Sequence, residues 1–270
     1  MTPRSLLGAL VAVLLVGAVV IVGALRAAPR ATSIASPSPS PSSSSSPGPS
    51  DALPPPLDAP GVYARFATLG QATAGGEAGA LTATRAGVLA LPTGRIVAAD
   101  VYFVDAPAFV RQVAPGSYDV TALHIDLGPL DDRIAAAMVR FGPGDPVRWE
   151  MAVTPGQDVS QLSGDGAIFG YSVDSGTGCF TSAEAVDALG ATDSDASTAY
   201  AGLVESAMFP SPTDVKSTAE IALPGSAGLD VVAFESGFGD GAYPSWFGLD
   251  AAGKPLVLLT NFAILDPPTG

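Results

Sequence analysis

The sequence predicts an α+β domain built mainly on antiparallel β-sheet, with two helices inserted in its middle, preceded by a transmembrane helix and a disordered Ser/Pro linker. Three observations carry this. Short apolar runs separated by Pro-Gly and Asp-x-x-Gly turns fill residues 88–153 and 229–265. Helical spacing replaces that pattern between about 181 and 208. Strands, then helices, then strands again describe an α+β chain better than an alternating βαβ one.

The first element is the least globular. Leu6–Leu25 reads LLGALVAVLLVGAVVIVGAL, uncharged and bracketed by Arg4 and Arg26. Twenty helical residues rise about 30 Å, the hydrocarbon thickness of a bilayer. The expectation is a single-pass anchor within residues 1–30. A cleaved signal peptide is the alternative, though its apolar region usually runs only about 7–15 residues. Residues 31–60 form the linker, with ASPSPSPSSSSSPGPSDALPPP at 35–56. A Ser/Pro tract of this kind buries no apolar surface, and extended it reaches roughly 70 Å. Such a spacer suits a domain held off the cell membrane on its extracytoplasmic side.

The globular part is expected over residues 61–270. VLALPTGRIVAAD (88–100) gives two apolar runs split by a Pro-Thr-Gly turn. AFVRQVA (108–114) continues the strand-like pattern up to Pro115-Gly116. SYDVTALHIDL (117–127) follows as a strand with neither face clean. RIAAAMVRF (133–141) fits a helix by alanine content and a strand by alternation. The Pro-Gly after Phe141 and PVRWEMAV (146–153) favour a hairpin. Thr181-x-x-Glu184 reads as a capping box opening one helix. A second helix is expected from about Asp195 to Met208, ended by Pro210 and Pro212. LDVVAFES (229–236) and PLVLLTNFAIL (255–265) return to strand.

Composition excludes several functions. All 26 acidic residues lie from Asp51 onward against nine basic ones, so this part carries −17. A field of that sign repels nucleic acid, and no nucleic-acid partner is expected. One cysteine, Cys179, and one histidine, His124, leave no intramolecular disulfide, no zinc finger and no HExxH site. No cofactor is expected.

Two glycine-rich patches are the candidate site. In Gly237–Pro255, the run Gly248–Lys254 satisfies GxxxxGK, but Pro255 and a strand follow where Ser/Thr and a helix belong, so the match is fortuitous. Asp240 and Asp250 stand ten apart with nothing acidic between them, which does not fit an EF-hand. Asp250-Ala-Ala-Gly253 has the chemistry of a hairpin turn. Gly237, Gly239 and Gly241, around Phe238 and Asp240, exceed what a simple turn needs. They suit either a bulged strand or close approach to a ligand. The second patch, Tyr171–Phe180, sets Asp174, Gly176, Gly178 and Cys179 before the expected helix start. There Cys179 is either a thiol activated at a helix N-terminus or a small buried side chain. The candidate binding residues are therefore Asp174, Gly176, Gly178, Cys179, Gly239, Asp240, Gly241 and Tyr243.

Together PTGRIVAAD (92–100), Pro115–Val120, PVRWEMA (146–152), VDSGTGCF (173–180) and FGDGAYPSWFGLDAAG (238–253) resemble the bacterial domain-of-unknown-function family 4241. Its marker is the Gly239-Asp240-Gly241 triplet followed by Tyr243-Pro244. The resemblance implies kinship over most of 88–265 and no reaction, cofactor or substrate. The anchor and spacer depart from a family whose members often have no membrane segment. Three readings follow: a non-enzymatic binding module on the cell envelope that meets a protein partner or ligand, a hydrolase using Asp174 and Asp240 as paired carboxylates, and a purely structural envelope protein.

Overall fold

The computed structural model describes residues 57–190, 194–226 and 228–267. The expected membrane helix at 6–25 and the Ser/Pro spacer at 35–56 lie outside them. Among the described residues no helix is long and apolar enough to cross a membrane.

Ile134–Val139 decides the architecture. Six consecutive residues are buried, and alternation along a strand sends them to opposite faces. Both faces of this strand must therefore be covered. It lies inside a seven-stranded antiparallel sheet ordered β1-β2-β4-β5-β13-β12-β6. The strands are β1 Gly70–Ala74, β2 Glu77–Leu91, β4 Gly116–Asp126, β5 Asp132–Arg140, β13 Pro255–Asn261, β12 Ser245–Leu249 and β6 Arg148–Met151. A four-stranded sheet ordered β3-β8-β10-β9 packs against it, from β3 Ile96–Asp100, β8 Thr177–Ser182, β10 Asp230–Glu235 and β9 Thr218–Ala222. A two-stranded ribbon pairs β7 Tyr171–Val173 with β11 Gly241–Tyr243.

One core lies between the sheets. Phe180 and Phe234 meet there edge to face, with centroids 4.9 Å apart, and both are fully buried. Each such ring contributes about 2–3 kcal/mol by leaving water. The second core lies on the far side of the small sheet, under helices α2 Ala183–Gly190 and α3 Ser194–Met208. Tyr200, Val204 and Met208 recur every fourth residue on the buried face of α3, and the Tyr200 hydroxyl donates to the Val101 carbonyl at 2.9 Å. The α+β reading and its two inserted helices hold, and among the described residues there is one more α-helix. The additional one, α1 Ala59–Thr68, packs on β2 and β13. Asp58 caps it by accepting from the Gly61 amide at 3.0 Å, and Pro60 occupies its first turn.

Three local expectations are corrected. Thr181 is not the cap of α2. It lies in β8, and its hydroxyl donates to the Asp230 carbonyl at 2.7 Å. Ser182 caps instead, accepting from the Ala185 amide at 3.1 Å, while Glu184 turns away to Thr93 and Arg95. The apolar runs on either side of Pro92-Thr-Gly94 are strands split by a turn, as expected, and that turn carries the chain from one sheet to the other. Residues 108–114 form no strand; the Val113 amide instead donates to the Gly94 carbonyl at 2.9 Å. β5 and β6 do not make a hairpin, because β13 takes the place beside β5 and β6 pairs with β12 at the sheet edge.

Candidate functional site

The two glycine-rich patches converge. β7 and β11 pair antiparallel, with Gly241 facing Val173 and Tyr243 facing Tyr171. A Cβ on Gly176 would lie 3.7 Å from the Gly239 Cα, and the Ser236 amide donates to the Gly176 carbonyl at 3.0 Å.

The knob they form is tied from beneath. Asp100 ends β3 and is 4% exposed. Its Oδ2 accepts from the Asp174 and Ser175 amides, both at 2.8 Å. Its Oδ1 accepts from the Ser175 hydroxyl at 2.9 Å and the Tyr102 amide at 2.8 Å. A buried carboxylate is stable when its lone pairs are taken this way. On the other strand the Tyr243 hydroxyl faces the Gly239 carbonyl at 2.6 Å and the Ser236 carbonyl at 3.1 Å, and the Ser236 hydroxyl donates to Gly239 at 2.8 Å.

This scaffold accounts for the glycines. Gly237 and Gly239 have φ of 58° and 111°, where side chains strain the backbone. A Cβ on Gly237 would also meet Ile264 at 2.8 Å. Gly241 has ordinary φ but clears the Tyr243 ring, which a Cβ would meet at 2.9 Å. On Gly178 a Cβ would meet Phe234 and the Tyr171 hydroxyl, each at 3.0 Å. The close approach is therefore of the chain to itself.

Outward, Asp174, Ser175, Asp240, Gly241 and Ala242 are exposed. Phe238 is 59% exposed, and the Arg133 guanidinium lies 5.5 Å from its ring centroid. Cys179 stands apart from the knob. It is fully buried in the middle of β8, facing the helices, and burial, with the Asp100 charge adding to it, pushes its thiol far above the usual range. Of the two readings of Cys179, the small buried side chain is therefore the one that holds, and it lies within a strand, not before a helix.

Two arrangements escaped the sequence. Asp100 sits within a quoted family segment, but nothing in its spacing links it to residues 174 and 175. His124, 6% exposed, makes Nε2 contact with the Thr84 hydroxyl and Nδ1 contact with Asp132 Oδ2, both at 2.8 Å. Hydroxyl, imidazole and carboxylate stand in the order of a nucleophilic triad. Their placement across neighbouring strands of one sheet makes them a polar lock on β2, β4 and β5, and it satisfies both nitrogens of a buried ring. Among the described residues no group of three or more His, Cys, Asp and Glu could hold a metal.

No curated protein and no solved structure matches the chain. The family described as "Protein of unknown function (DUF4241)" matches residues 89–260, a span that holds Asp100, both glycine-rich patches and the ribbon that joins them. The match covers well over half of the sequence, and the chain belongs to that family.

Proposed function

We propose that this protein is a non-enzymatic binding module of the cell envelope, held at the membrane by residues 6–25 and displayed outside the cytoplasm on its Ser/Pro spacer. The knob is its binding surface, and the partner is a protein with a basic, ring-accepting patch. One observation carries this reading: an exposed aromatic, Phe238, stands two residues from Asp240 on a loop fixed by part-buried hydrogen bonds. A rigid aromatic anchor rimmed by charge loses little entropy on docking, and the −17 charge steers a basic partner toward it.

The alternative, a carboxylate hydrolase using Asp174 and Asp240, draws on the β7/β11 pairing, which ends at Val173 and Gly241, the residues next to them. It is the weaker reading, because both residues are exposed, whereas a catalytic carboxylate pair is expected in a cleft.

The test is a pull-down from membranes with the full-length chain, run beside the double variant Phe238→Ala/Asp240→Lys. Wild type is expected to retain a saturable partner that salt weakens, and the variant to retain about tenfold less. Equal retention by both proteins, or none above background at any salt, defeats the proposal.

A further inference from the structure

The small sheet ends on β9, at the opposite side from β3, which carries the knob's Asp100. Along β9, bonds to β10 fall on alternate residues. The Glu235 amide donates to the Ser217 carbonyl at 2.9 Å, and the Leu223 amide to the Leu229 carbonyl at 3.0 Å. Residues 217, 219, 221 and 223 therefore face β10. The amides and carbonyls of Thr218, Glu220 and Ala222 point outward, and no described residue pairs with them.

Other edges are occupied. At β1 the Asp266 amide donates to the Thr73 carbonyl at 2.8 Å, and at β3 the Phe109 amide donates to the Ile96 carbonyl at 3.0 Å. Edge strands are otherwise guarded by proline, lysine or a bulge. β9 reads TAEIA and pairs in unbroken register, so it has none of these guards. We infer that this edge takes up an extended segment of a partner protein as a fifth, antiparallel strand, with a basic residue set across from Glu220.

Charge selects that occupant. A second copy of this chain could pair β9 with β9, but the shared register would set Glu220 against Glu220, on two chains that each carry −17 from residue 51 onward. Like charges directly opposite weaken a strand pair. Glu220 is exposed, and Asp230 stands across from Ala222 on β10. Among the described residues neither carboxylate has a Lys, Arg or His partner. On the other face Ala219 and Ile221 belong to the core under the helices. The added strand thus alternates, polar or basic on the Glu220 side and apolar on the Ile221 side.

The probe is the peptide acetyl-Thr-Val-Lys-Val-Thr-amide, titrated into the nitrogen-15-labelled full-length chain and followed by NMR. The expected result is saturable one-to-one shifts of the Thr218, Glu220 and Ala222 amides, with their hydrogen exchange slowed. Methylating the peptide's Lys amide, which faces β9, should weaken binding about tenfold, whereas methylating the second Val amide, which faces solvent, should change it less than about twofold. Glu in place of Lys should weaken it about fivefold. Ala222→Pro removes one outward donor at an edge that accepts proline and should weaken binding about tenfold. If circular dichroism finds that variant unfolded, Thr218→Pro supplies the block. No saturable shift, equal binding of the Lys-methylated peptide, a Glu peptide as tight as the Lys peptide, or equal binding by the blocked variant would each overturn the inference. So would a dimer of the chain alone that Ala222→Pro dissolves, since the edge would then belong to a second copy.

Discussion

Residues 237–243 and 249–255 lie six apart in one glycine-rich stretch. Each reverses the chain, and each is secured through an aspartate. At the second, Asp250 Oδ1 accepts from the Ala252 and Lys254 amides at 2.9 and 2.8 Å, and Gly253 takes φ of 81°. The hydrogen bonds among this turn's own residues lie within five residues, and Arg111 adds one long contact to the Gly253 carbonyl from outside it. At the first, the loop is tied to residue 176 by the Ser236 amide, and that segment hangs on Asp100, a carboxylate more than 70 residues away. The hairpin is local chemistry that the sheet accepts. The knob is assembled by the sheets and cannot form before they do.

The largest test of this contrast is Asp100→Ala. It removes four hydrogen bonds at a buried site and strands the Asp174 and Ser175 amides, at an expected cost of about 3 kcal/mol in urea unfolding. A loss under 1 kcal/mol would make the knob as self-sufficient as the hairpin. Next is Gly241→Ala, which displaces the Tyr243 ring and is expected to cost about 2 kcal/mol, although its φ suits alanine. Gly253→Ala has unfavourable φ but a roomier setting and should cost about 1 kcal/mol. A reversed order would refute a tertiary origin for the knob's glycines.

Asp230 offers an intermediate case, half-buried and accepting from the Ala90 amide at 3.2 Å. Burial, with the Glu220 charge adding to it, raises its carboxyl from an ordinary 3.8 to about 6. Between those values the folded protein holds a proton that the unfolded chain has released. This site therefore adds stability as pH falls from 7 toward 4 and loses it as pH rises through about 6. Discounted for solvent screening, the effect is about 1–2 kcal/mol. The difference between wild type and Asp230→Asn in unfolding free energy should trace that slope across pH 4–7; a flat difference would deny the shift. Asp250→Ala is expected to cost about 1 kcal/mol, as little as Gly253→Ala, read as a modest fall in Tm with the knob's partner binding unchanged.

The same contrast explains what could be read in advance. The Asp250–Gly253 turn, the strand at 117–126 and the helix ending at Met208 were legible, because their signals are local: an aspartate beside free amides, strand-forming residues between turn signals, and apolar residues recurring at helical spacing. Asp100 was not, because accepting an amide 74 residues away leaves no trace in spacing. Nor was the β13 strand's place beside β5, since a run of buried alanines and valines is compatible with several neighbours. His124 lacked a telling context, because Thr84 lies 40 residues before it.

By itself the sequence determined the class of fold, the acidic charge, the absence of disulfide and multi-histidine chemistry, and the residues of the two glycine-rich patches. Only tertiary structure decided that those patches form one knob, that Asp100 and Tyr243 hold it, and that Cys179 lies buried in a strand facing the helices. The physical reason is range. Turn and helix preferences act over a few residues, whereas a buried carboxylate's partners and a glycine's close neighbours exist only once two sheets have packed.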